Sequence, residues 1–250
     1  MKDYRTNKKT ISKPTKAAKR RRSVSQPVYA VVSEPKRRLR SLRFYFPLLA
    51  VSLTPLFIPM KMTPAISAKD VTVVALGDSI TWGYPDGNSW TTTVTKETGL
   101  NIINKGISGN KLGDMFARLD HDVLSIAPQI CLVMGGTNDV FRGLSVDEMM
   151  ENLEGILAEL EKRNIMPVIG LPVPLGWTNS ENKLRALRQR ILQMPYIIVD
   201  FAADFRRPRE EFKKLVPDGI HPEGEGKRLM AERLKKELPR ILRAYEAYHK

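Results

Sequence analysis

The residues best suited to chemistry in this chain are a serine and a histidine. Ser79 follows an apolar run in the stretch "VVALGDSITWG", residues 73–83. A serine hydroxyl is a weak nucleophile and needs an adjacent general base. Of the three histidines, His121 lies in a charged helical stretch and His249 lies next to the C-terminus. His221, in a short loop before a proline, is therefore the best-placed base for Ser79.

A carboxylate lies close to this histidine in the sequence. Asp218 and His221 both belong to the stretch "PDGIHP", residues 217–222. In an extended loop, this spacing allows one backbone segment to present both side chains. Asp218 would then hold the imidazole in the required tautomer and stabilise the imidazolium that forms when His221 takes a proton. The three residues together predict nucleophilic catalysis by Ser79.

Acyl transfer through a serine also needs hydrogen-bond donors for the oxyanion of the tetrahedral intermediate. The backbone N–H groups of Ser79 and of a glycine in "GISGN", residues 106–110, are candidates. Asn138, in "GGTND", offers a neutral amide with two N–H donors, whereas a carboxylate there would repel the developing charge. The body of the chain has no His/Cys cluster with the spacing of metal ligands. The predicted mechanism therefore needs no metal and no cofactor.

These residues need elements that bring them together, and from Asp70 onward short apolar runs alternate with helical patterns. The runs predict strands at 70–76, 101–104, 129–134, 165–171 and 196–200, and the periodicity predicts helices near 89–98, 111–126, 145–163, 180–193 and 224–247. The strands are continuously apolar, which indicates a sheet covered on both faces. The sequence therefore predicts an α/β fold, a three-layer α/β/α sandwich around a mainly parallel five-stranded sheet.

The polar motifs occupy corresponding places in this pattern. "GDSITWG" follows the first predicted strand, "GISGN" the second and "GGTND" the third, while "PDGIHP" precedes the last helix. In open parallel sheets, sites form beyond the carboxyl ends of the strands. We therefore expect the four loops to meet at one edge of the sheet.

The blocks "GDSI", "GISG", "GGTND" and "DGIHP", in this order, resemble the four blocks of the SGNH hydrolases, also called GDSL esterases and lipases. The resemblance covers about residues 71–240 and implies a flavodoxin-like fold that hydrolyses esters or thioesters. It implies Ser79 as the nucleophile, Asp218 and His221 as its triad partners, and Gly109 and Asn138 as members of the oxyanion hole with Ser79. Ile80 replaces the leucine of the block name and keeps an apolar side chain there.

Other interpretations stay open at the level of sequence. Ser79 could be a helix N-cap after a strand, since serine is favoured there, and the domain could be a binding module without catalysis. The complete set of candidate site residues favours an esterase or acylhydrolase for short to medium acyl esters, with lysophospholipids among the candidates. A carbohydrate O-deacetylase is the alternative. Aromatic and apolar residues in the site loops are candidates for a substrate pocket, namely Trp82, Tyr84, Phe141, Leu175 and Trp177.

The basic charge of the chain is confined to its N-terminal part. Residues 1–43 contain 15 Lys or Arg against two acids, a net charge of +13, whereas residues 44–250 contain 26 bases and 25 acids, a net charge of +1. We predict that 1–43 is a disordered leader because it has few apolar residues to bury. A nucleic-acid enzyme usually carries its basic patch on the folded domain. The near-neutral body therefore indicates no nucleic-acid partner, and the candidate site residues predict a small-molecule ester or lipid substrate.

An uncharged stretch of 17 residues, 44–60, follows the basic leader. We predict that residues 44–68 form an export signal or membrane anchor with a linker, which would place the hydrolase domain, 69–250, outside the cytoplasm. Three prolines in the stretch oppose a spanning helix. If translation begins at Met60 or Met62, the domain would instead be cytoplasmic. The single Cys131 forms no intramolecular disulfide and is typical of a buried strand.

Overall fold

The computed structural model describes residues 66–248, which form three layers around a five-stranded parallel sheet. The strands are β1 Thr72–Gly77, β2 Asn101–Gly106, β3 Ile130–Met134, β4 Met166–Gly170 and β5 Ile197–Val199, in the spatial order β2-β1-β3-β4-β5. The helices are α1 Ser79–Trp82, α2 Trp90–Thr98, α3 Leu112–Ala117, α4 Thr137–Phe141, α5 Val146–Lys162, α6 Thr178–Ile191, α7 Arg209–Leu215 and α8 Glu225–Tyr248. The predicted α/β/α sandwich and its flavodoxin-like strand order are confirmed.

The sheet is covered on both faces, which explains the continuous apolar runs of its strands. Along β1, Val73 and Ala75 pack with side chains of α2 and α8, whereas Val74 and Leu76 pack with side chains of α3, α5 and α6. Cys131 of β3 is fully buried in the second of these cores. The two cores fix the sheet between its helices, and all five strands point their carboxyl ends to the same edge.

The register of the sheet aligns the starts of the site loops. Gly77, the last residue of β1, pairs with Gly106 at the end of β2 and with Met134 at the end of β3. The motifs that follow β1, β2 and β3 therefore begin side by side at the same edge of the sheet. The prediction that they meet at one edge of the sheet is confirmed by this register.

The helix predicted over 111–126 is wrong in its length. Helix α3 ends at Ala117, and a wider π-helical turn follows over Asp120–Leu124. This turn brings the carboxylate of Asp122 to Arg118 at 2.6 Å and to Lys105 at 3.2 Å. It leaves the side chain of His121 89% exposed, as expected for a solvated histidine. The short helices α1, α4 and α7 were not predicted, because each has too few residues to show helical periodicity.

The predictions for the leader 1–43, the apolar stretch 44–60 and His249 lie outside the described residues. At the start of the described part, the backbone N–H of Ile66 donates to the carboxylate of Glu246 on α8 at 2.7 Å. Within residues 66–248, no helix combines the length and the apolar character that a membrane crossing requires.

Candidate active site

Ser79 lies at the carboxyl end of β1, as the first residue of α1. Asp78 is the N-cap of this helix, and its Oδ1 accepts a hydrogen bond from the N–H of Ile80 at 2.9 Å. The interpretation of Ser79 as the N-cap is therefore wrong. Because Asp78 does the capping, the hydroxyl of Ser79 is available to another partner.

Two glycines allow α1 to begin so close to the strands. A Cβ at Gly77 would lie 2.1 Å from Oγ1 of Thr81, and a Cβ at Gly106 would lie 2.1 Å from the backbone nitrogen of Trp82. Real Cβ atoms are not found at such distances. Gly106 in particular faces backbone, which cannot move aside as a side chain can. The turn that holds Ser79 is thus built on the absence of side chains at these two positions.

The structure brings together Ser79, His221 and Asp218. Oγ of Ser79 is 2.9 Å from Nε2 of His221, and Nδ1 of His221 is 2.6 Å from Oδ2 of Asp218. The other carboxylate oxygen of Asp218 accepts from the N–H of Ile220 at 2.8 Å and from the N–H of His221 at 2.7 Å. Asp218 therefore holds both the backbone and the ring of His221. This is the arrangement of a nucleophile, a general base and an orienting carboxylate.

The electrostatics of this cluster keep the carboxylate of Asp218 ionised. Partial burial acts to raise the pKa of Asp218, but hydrogen bonds from the backbone N–H and the ring of His221 outweigh it. The pKa of Asp218 consequently lies below its ordinary value. Ser79 is buried, and the side chain of His221 is only 14% exposed. The contact between hydroxyl and imidazole is thus largely shielded from water.

The candidate oxyanion residues Asn138 and Gly109 lie on neighbouring loops. Asn138 is in α4, and its Nδ2 donates to the carbonyl of Asn110 at 2.9 Å. This bond uses one N–H of the amide and leaves the second for another acceptor. Gly109, next to Asn110, has a positive φ of 81°, the left-handed region that glycine adopts without strain. Asn138 is thereby tied to the loop that carries the Gly109 amide.

Sequence reasoning missed Arg118, which connects three parts of this edge. Its Nε donates to Oδ1 of Asn110 at 2.7 Å, and its second guanidinium nitrogen donates to the carbonyls of Gly77 and Lys105, each at 2.9 Å. Arg118 therefore holds the loop of Gly109 and Asn110, called here the oxyanion loop, against the ends of β1 and β2. The charged surroundings of Arg118 in "RLDHDV" gave no signal for this role, because an arginine in a charged stretch is usually solvated.

A lysine that sequence reasoning also missed holds the loop after α1. Nζ of Lys227, near the start of α8, donates to the carbonyl of Gly83 at 2.9 Å and to Oδ1 of Asp86 at 2.6 Å. Lys227 follows His221 by six residues in "HPEGEGK". It therefore links the segment that carries the base to the segment that carries the nucleophile.

The predicted pocket residues separate into different places. The ring of Tyr84 lies 4.2 Å from the ring of His221, centroid to centroid, and Phe141 meets Trp177 edge to face at 5.8 Å. Trp82 lies beside Gly87. These four side chains are 41–46% exposed. Leu175, by contrast, is buried in the core on the α5 and α6 side of the sheet.

Two further carboxylates, Asp78 and Asp139, are buried next to the site loops. Asp139 is fully buried and accepts from the N–H of Leu112 with both oxygens at 3.2 Å. Burial raises the pKa of Asp139 above its ordinary value. Burial, together with repulsion from Asp139, raises the pKa of Asp78 to about 7. Asp78 and Asp139 thus bind backbone amides at the starts of α1 and α3.

The chain matches a family model, that of the GDSL-like lipase/acylhydrolase family, over residues 75–229. The chain belongs to this family. All four sequence blocks lie within the matched range, and the predicted resemblance is confirmed. The GDSL-like domain is therefore a carboxylic ester hydrolase, in line with the esterases that are its relatives.

Named relatives of this GDSL-like chain are esterases. An arylesterase from Vibrio mimicus is 27% identical over 194 residues, which are 71% of this chain and 93% of the relative. An acetylxylan esterase from Geobacillus stearothermophilus is 29% identical over 167 residues, 58% of this chain and 75% of the relative. In fold, a crystal structure of a GDSL-like lipase from Bacteroides thetaiotaomicron matches with a TM-score of 0.61 at 21% identity, over 72% of this chain and 93% of that one.

Proposed function

We propose that this GDSL-like hydrolase cleaves short to medium acyl esters by two-step acyl transfer on Ser79. The observation that carries the proposal is the continuous line of contacts from Oγ of Ser79 through His221 to Asp218. Nε2 of His221 takes the hydroxyl proton while Oγ attacks the ester carbonyl. Asp218, held by two backbone N–H groups, stabilises the imidazolium that results.

The tetrahedral intermediate is stabilised by donors aimed at its oxyanion. We assign these donors to the amides of Ser79 and Gly109 and to the second N–H of Asn138. The hydrogen bond from Asn138 to the carbonyl of Asn110 fixes the orientation of that amide before substrate arrives. Such preorganised donors are effective because they need no reorganisation during the reaction. His221 then protonates the leaving alcohol and activates the water that releases the acid.

The aromatic side chains near Ser79 favour small ester substrates whose acyl or alcohol group is apolar or planar. Tyr84 packs against the His221 ring and thus offers an apolar surface beside the general base. Phe141 and Trp177 form an exposed aromatic pair on loops of the same sheet edge. Exposed aromatic rings offer apolar contact area without closing over a long acyl chain. These contacts favour short to medium acyl groups over lysophospholipids.

A carbohydrate O-deacetylase is the second candidate. Two observations favour it, namely the relationship to the acetylxylan esterase of Geobacillus stearothermophilus and the exposure of two tryptophans at this edge. Trp82 is 41% exposed and Trp177 is 46% exposed. Flat indole faces of this kind are suited to packing against sugar rings. In that case the acyl group would be acetyl and the alcohol a sugar hydroxyl.

Labelling with a fluorophosphonate tests the assignment of the nucleophile. A fluorophosphonate reacts with an activated serine and should modify Ser79, located by mass spectrometry of the labelled peptide. Ser79→Ala should abolish both labelling and hydrolysis of p-nitrophenyl acetate. Ser145→Ala is the control, because Ser145 caps α5 and is exposed. Full esterase activity in Ser79→Ala would contradict the proposal.

The acyl specificity is tested by a chain-length series. We expect kcat/KM for p-nitrophenyl esters to be highest between acetyl and about octanoyl and lower for palmitoyl. The same preparation is assayed with acetylated xylo-oligosaccharide and with lysophosphatidylcholine. A preference confined to acetyl esters, together with faster release of acetate from the sugar, would favour the deacetylase. Faster hydrolysis of lysophosphatidylcholine than of any short ester would refute the assignment to short acyl groups.

We also propose that the uncharged stretch 44–60 places the hydrolase domain outside the cytoplasm. The order of a basic flank, an apolar stretch and small residues supports export or anchoring. Mass spectrometry of the N-terminal peptide of the native protein tests this proposal. A peptide that begins shortly after residue 60 by cleavage, or a full-length chain in the membrane fraction, would support it. A soluble chain that begins at Met60 or Met62 would overturn it.

A further inference from the structure

A second cavity, of about 710 Å³, lies beyond the carboxyl ends of β4 and β5. Its walls come from the loop Pro174–Gly176 after β4, from one face of α6 and from the segment between β5 and α7. The cavity is on the same sheet edge as Ser79 but is lined by different residues. A backbone hydrogen bond joins the cavity wall to the loop of the triad. The N–H of Gly176 donates to the carbonyl of Gly219, next to Asp218, at 2.8 Å.

The cavity concentrates positive charge in a part of the chain that is otherwise balanced. Residues 66–248 carry 24 Lys or Arg and 25 Asp or Glu. The cavity lining nevertheless holds five arginines and a single acid, Glu181. The arginines come from two parts of the chain, α6 and the stretch from the segment after β5 into the first residue of α7: Arg185, Arg188, Arg206, Arg207 and Arg209. Like charges on converging elements repel one another, so this lining favours an anion between them.

The single acid of the lining is already engaged. One oxygen of Glu181 accepts from Arg188, and the other accepts from the N–H of Leu175 at 2.9 Å. Arg188 also donates to the carbonyl of Pro172 at 3.2 Å, and its side chain is only 6% exposed. Burial and the neighbouring Arg206 and Arg185 lower the pKa of Arg188, against the effect of Glu181. Glu181 thus holds one guanidinium in place rather than neutralising the cavity.

The outer arginines are weakly paired. Arg207 is 3.7 Å from Glu211 and donates through Nε to the carbonyl of Asp204 at 2.8 Å. Arg185 is 3.8 Å from the already engaged Glu181, and Arg206 is 3.1 Å from Asp200 with its side chain 59% exposed. Exposed pairs of this kind contribute little and exchange readily. Within residues 66–248, the side chain of Arg209 forms no hydrogen bond or ion pair. Their guanidinium groups are therefore available to a ligand.

We propose that this cavity binds the phosphate group of a small phosphorylated molecule. A guanidinium group can donate two parallel hydrogen bonds to two phosphate oxygens, and it stays charged at all physiological pH values. The volume lies in the range of small-molecule sites and exceeds what a lone phosphate fills. Leu192 and Phe212 add apolar wall beside the arginines. A small phosphorylated molecule can therefore place its phosphate against the arginines and its organic group against the apolar wall of the cavity.

Isothermal titration calorimetry at constant ionic strength tests the proposal, with inorganic phosphate, pyrophosphate and glycerol 3-phosphate as ligands. The protein carries Ser79→Ala, so that the result does not depend on the role of Ser79 in catalysis. The test variant adds Arg206→Gln and Arg209→Gln, both at solvent-accessible positions. The control adds Arg190→Gln instead, because Arg190 is on α6 but pairs with Asp147 and does not line the cavity.

We expect at least one of the phosphate compounds to bind, and the double variant to weaken it by about tenfold for each arginine removed. The Arg190→Gln control should bind as the parent does. Tighter binding of glycerol 3-phosphate than of inorganic phosphate supports an organic monoester, and tighter binding of pyrophosphate supports a diphosphate. Absence of binding at millimolar concentration would overturn the proposal. Equal weakening in the control and the double variant would also overturn it, because it would indicate attraction to the surface in general.

Discussion

Replacing Asp218 by asparagine separates the two tasks of this carboxylate. In the wild type, Oδ1 accepts from the N–H groups of Ile220 and His221, and Oδ2 accepts from the ring of His221 at 2.6 Å. An asparagine oxygen can keep both backbone bonds, so the loop should keep its shape. Its NH₂ group would face Nδ1 as a donor. The imidazole would then adopt the tautomer with its proton on Nε2, where it cannot accept from Ser79.

The size of the expected loss in kcat follows from the loss of the His221 tautomer that can accept the proton of Ser79. With the proton on Nε2, the 2.9 Å contact to Ser79 no longer joins a hydroxyl donor to a ring acceptor. The imidazolium also loses its ionised partner. In serine proteases the corresponding change lowers kcat by about 10⁴-fold. Because the triad residues have the same geometric relation here, we expect Asp218→Asn to lower kcat by about 10³- to 10⁴-fold with little change in KM.

The assay is steady-state hydrolysis of p-nitrophenyl acetate, together with the rate of fluorophosphonate labelling at Ser79. The melting temperature should stay within a few degrees of wild type, since the backbone bonds of residue 218 remain. Asp147→Asn is the control, because Asp147 is an exposed aspartate of α5 that pairs with Arg190 on α6. A folded Asp218→Asn variant that keeps more than a tenth of wild-type kcat would refute the tautomer reasoning.

Three further changes probe the surroundings of Ser79. Asn138→Ala should lower kcat for p-nitrophenyl acetate by about 100- to 1000-fold, the usual effect of losing one oxyanion donor. Gly106→Ala should destabilise the fold by at least about 1–3 kcal/mol in urea unfolding, because its Cβ would meet the backbone of Trp82 at 2.1 Å. Burial raises the pKa of Asp78 from 3.8 to about 7, so the folded protein holds a proton that the unfolded chain releases. Stability should therefore fall as pH rises from about 4 to 7, by up to about 4 kcal/mol. Asp78→Asn should reduce this fall to what remains from Asp139, whose pKa burial also raises.

Each of these three predictions has a result that contradicts it. Unchanged kcat in Asn138→Ala would remove Asn138 from the oxyanion hole. Wild-type stability of Gly106→Ala would show that α1 does not need its close approach to β2. If the free energy of unfolding of Asp78→Asn depends on pH as that of wild type does, Asp78 does not titrate as described. Asp147→Asn, at an exposed aspartate of α5, is the control for that comparison.

The sheet and its loops could be predicted because hydrophobic patterning is a local property of the chain. The continuous apolar runs marked all five strands, and the motif after each of the first three strands indicated the site edge. The limits of β5, three residues long, and the division of the helix at 111–126 depend on contacts with distant residues. Asp122, for example, turns inward not only to Arg118 in the turn before it but also to Lys105 at the end of β2, 17 residues earlier.

The candidate site could be predicted in its residue types but not in its connections. The residue types that acyl transfer requires lie in short sequence motifs, which made them recognisable: Ser79, Asn138, Asp218 and His221. Arg118 and Lys227 belong to no such motif, and their importance lies in the carbonyl groups that they reach. Those carbonyls belong to other loops, so only the folded structure identifies the two cations as positioning residues.

The buried acids show how the site is held together at some expense of stability. Asp78 and Asp139 are almost inaccessible to solvent, and neither has a cationic side chain as a hydrogen-bond partner within residues 66–248. Burying two such carboxylates is unfavourable, and repulsion between them adds to the cost. What they provide is acceptors for the backbone N–H groups of Ile80 and Leu112, which begin α1 and α3. Since α1 carries Ser79 and α3 follows the oxyanion loop, both acids fix loop geometry where catalysis requires it. The pH dependence predicted for Asp78 is thus the thermodynamic signature of this positioning role.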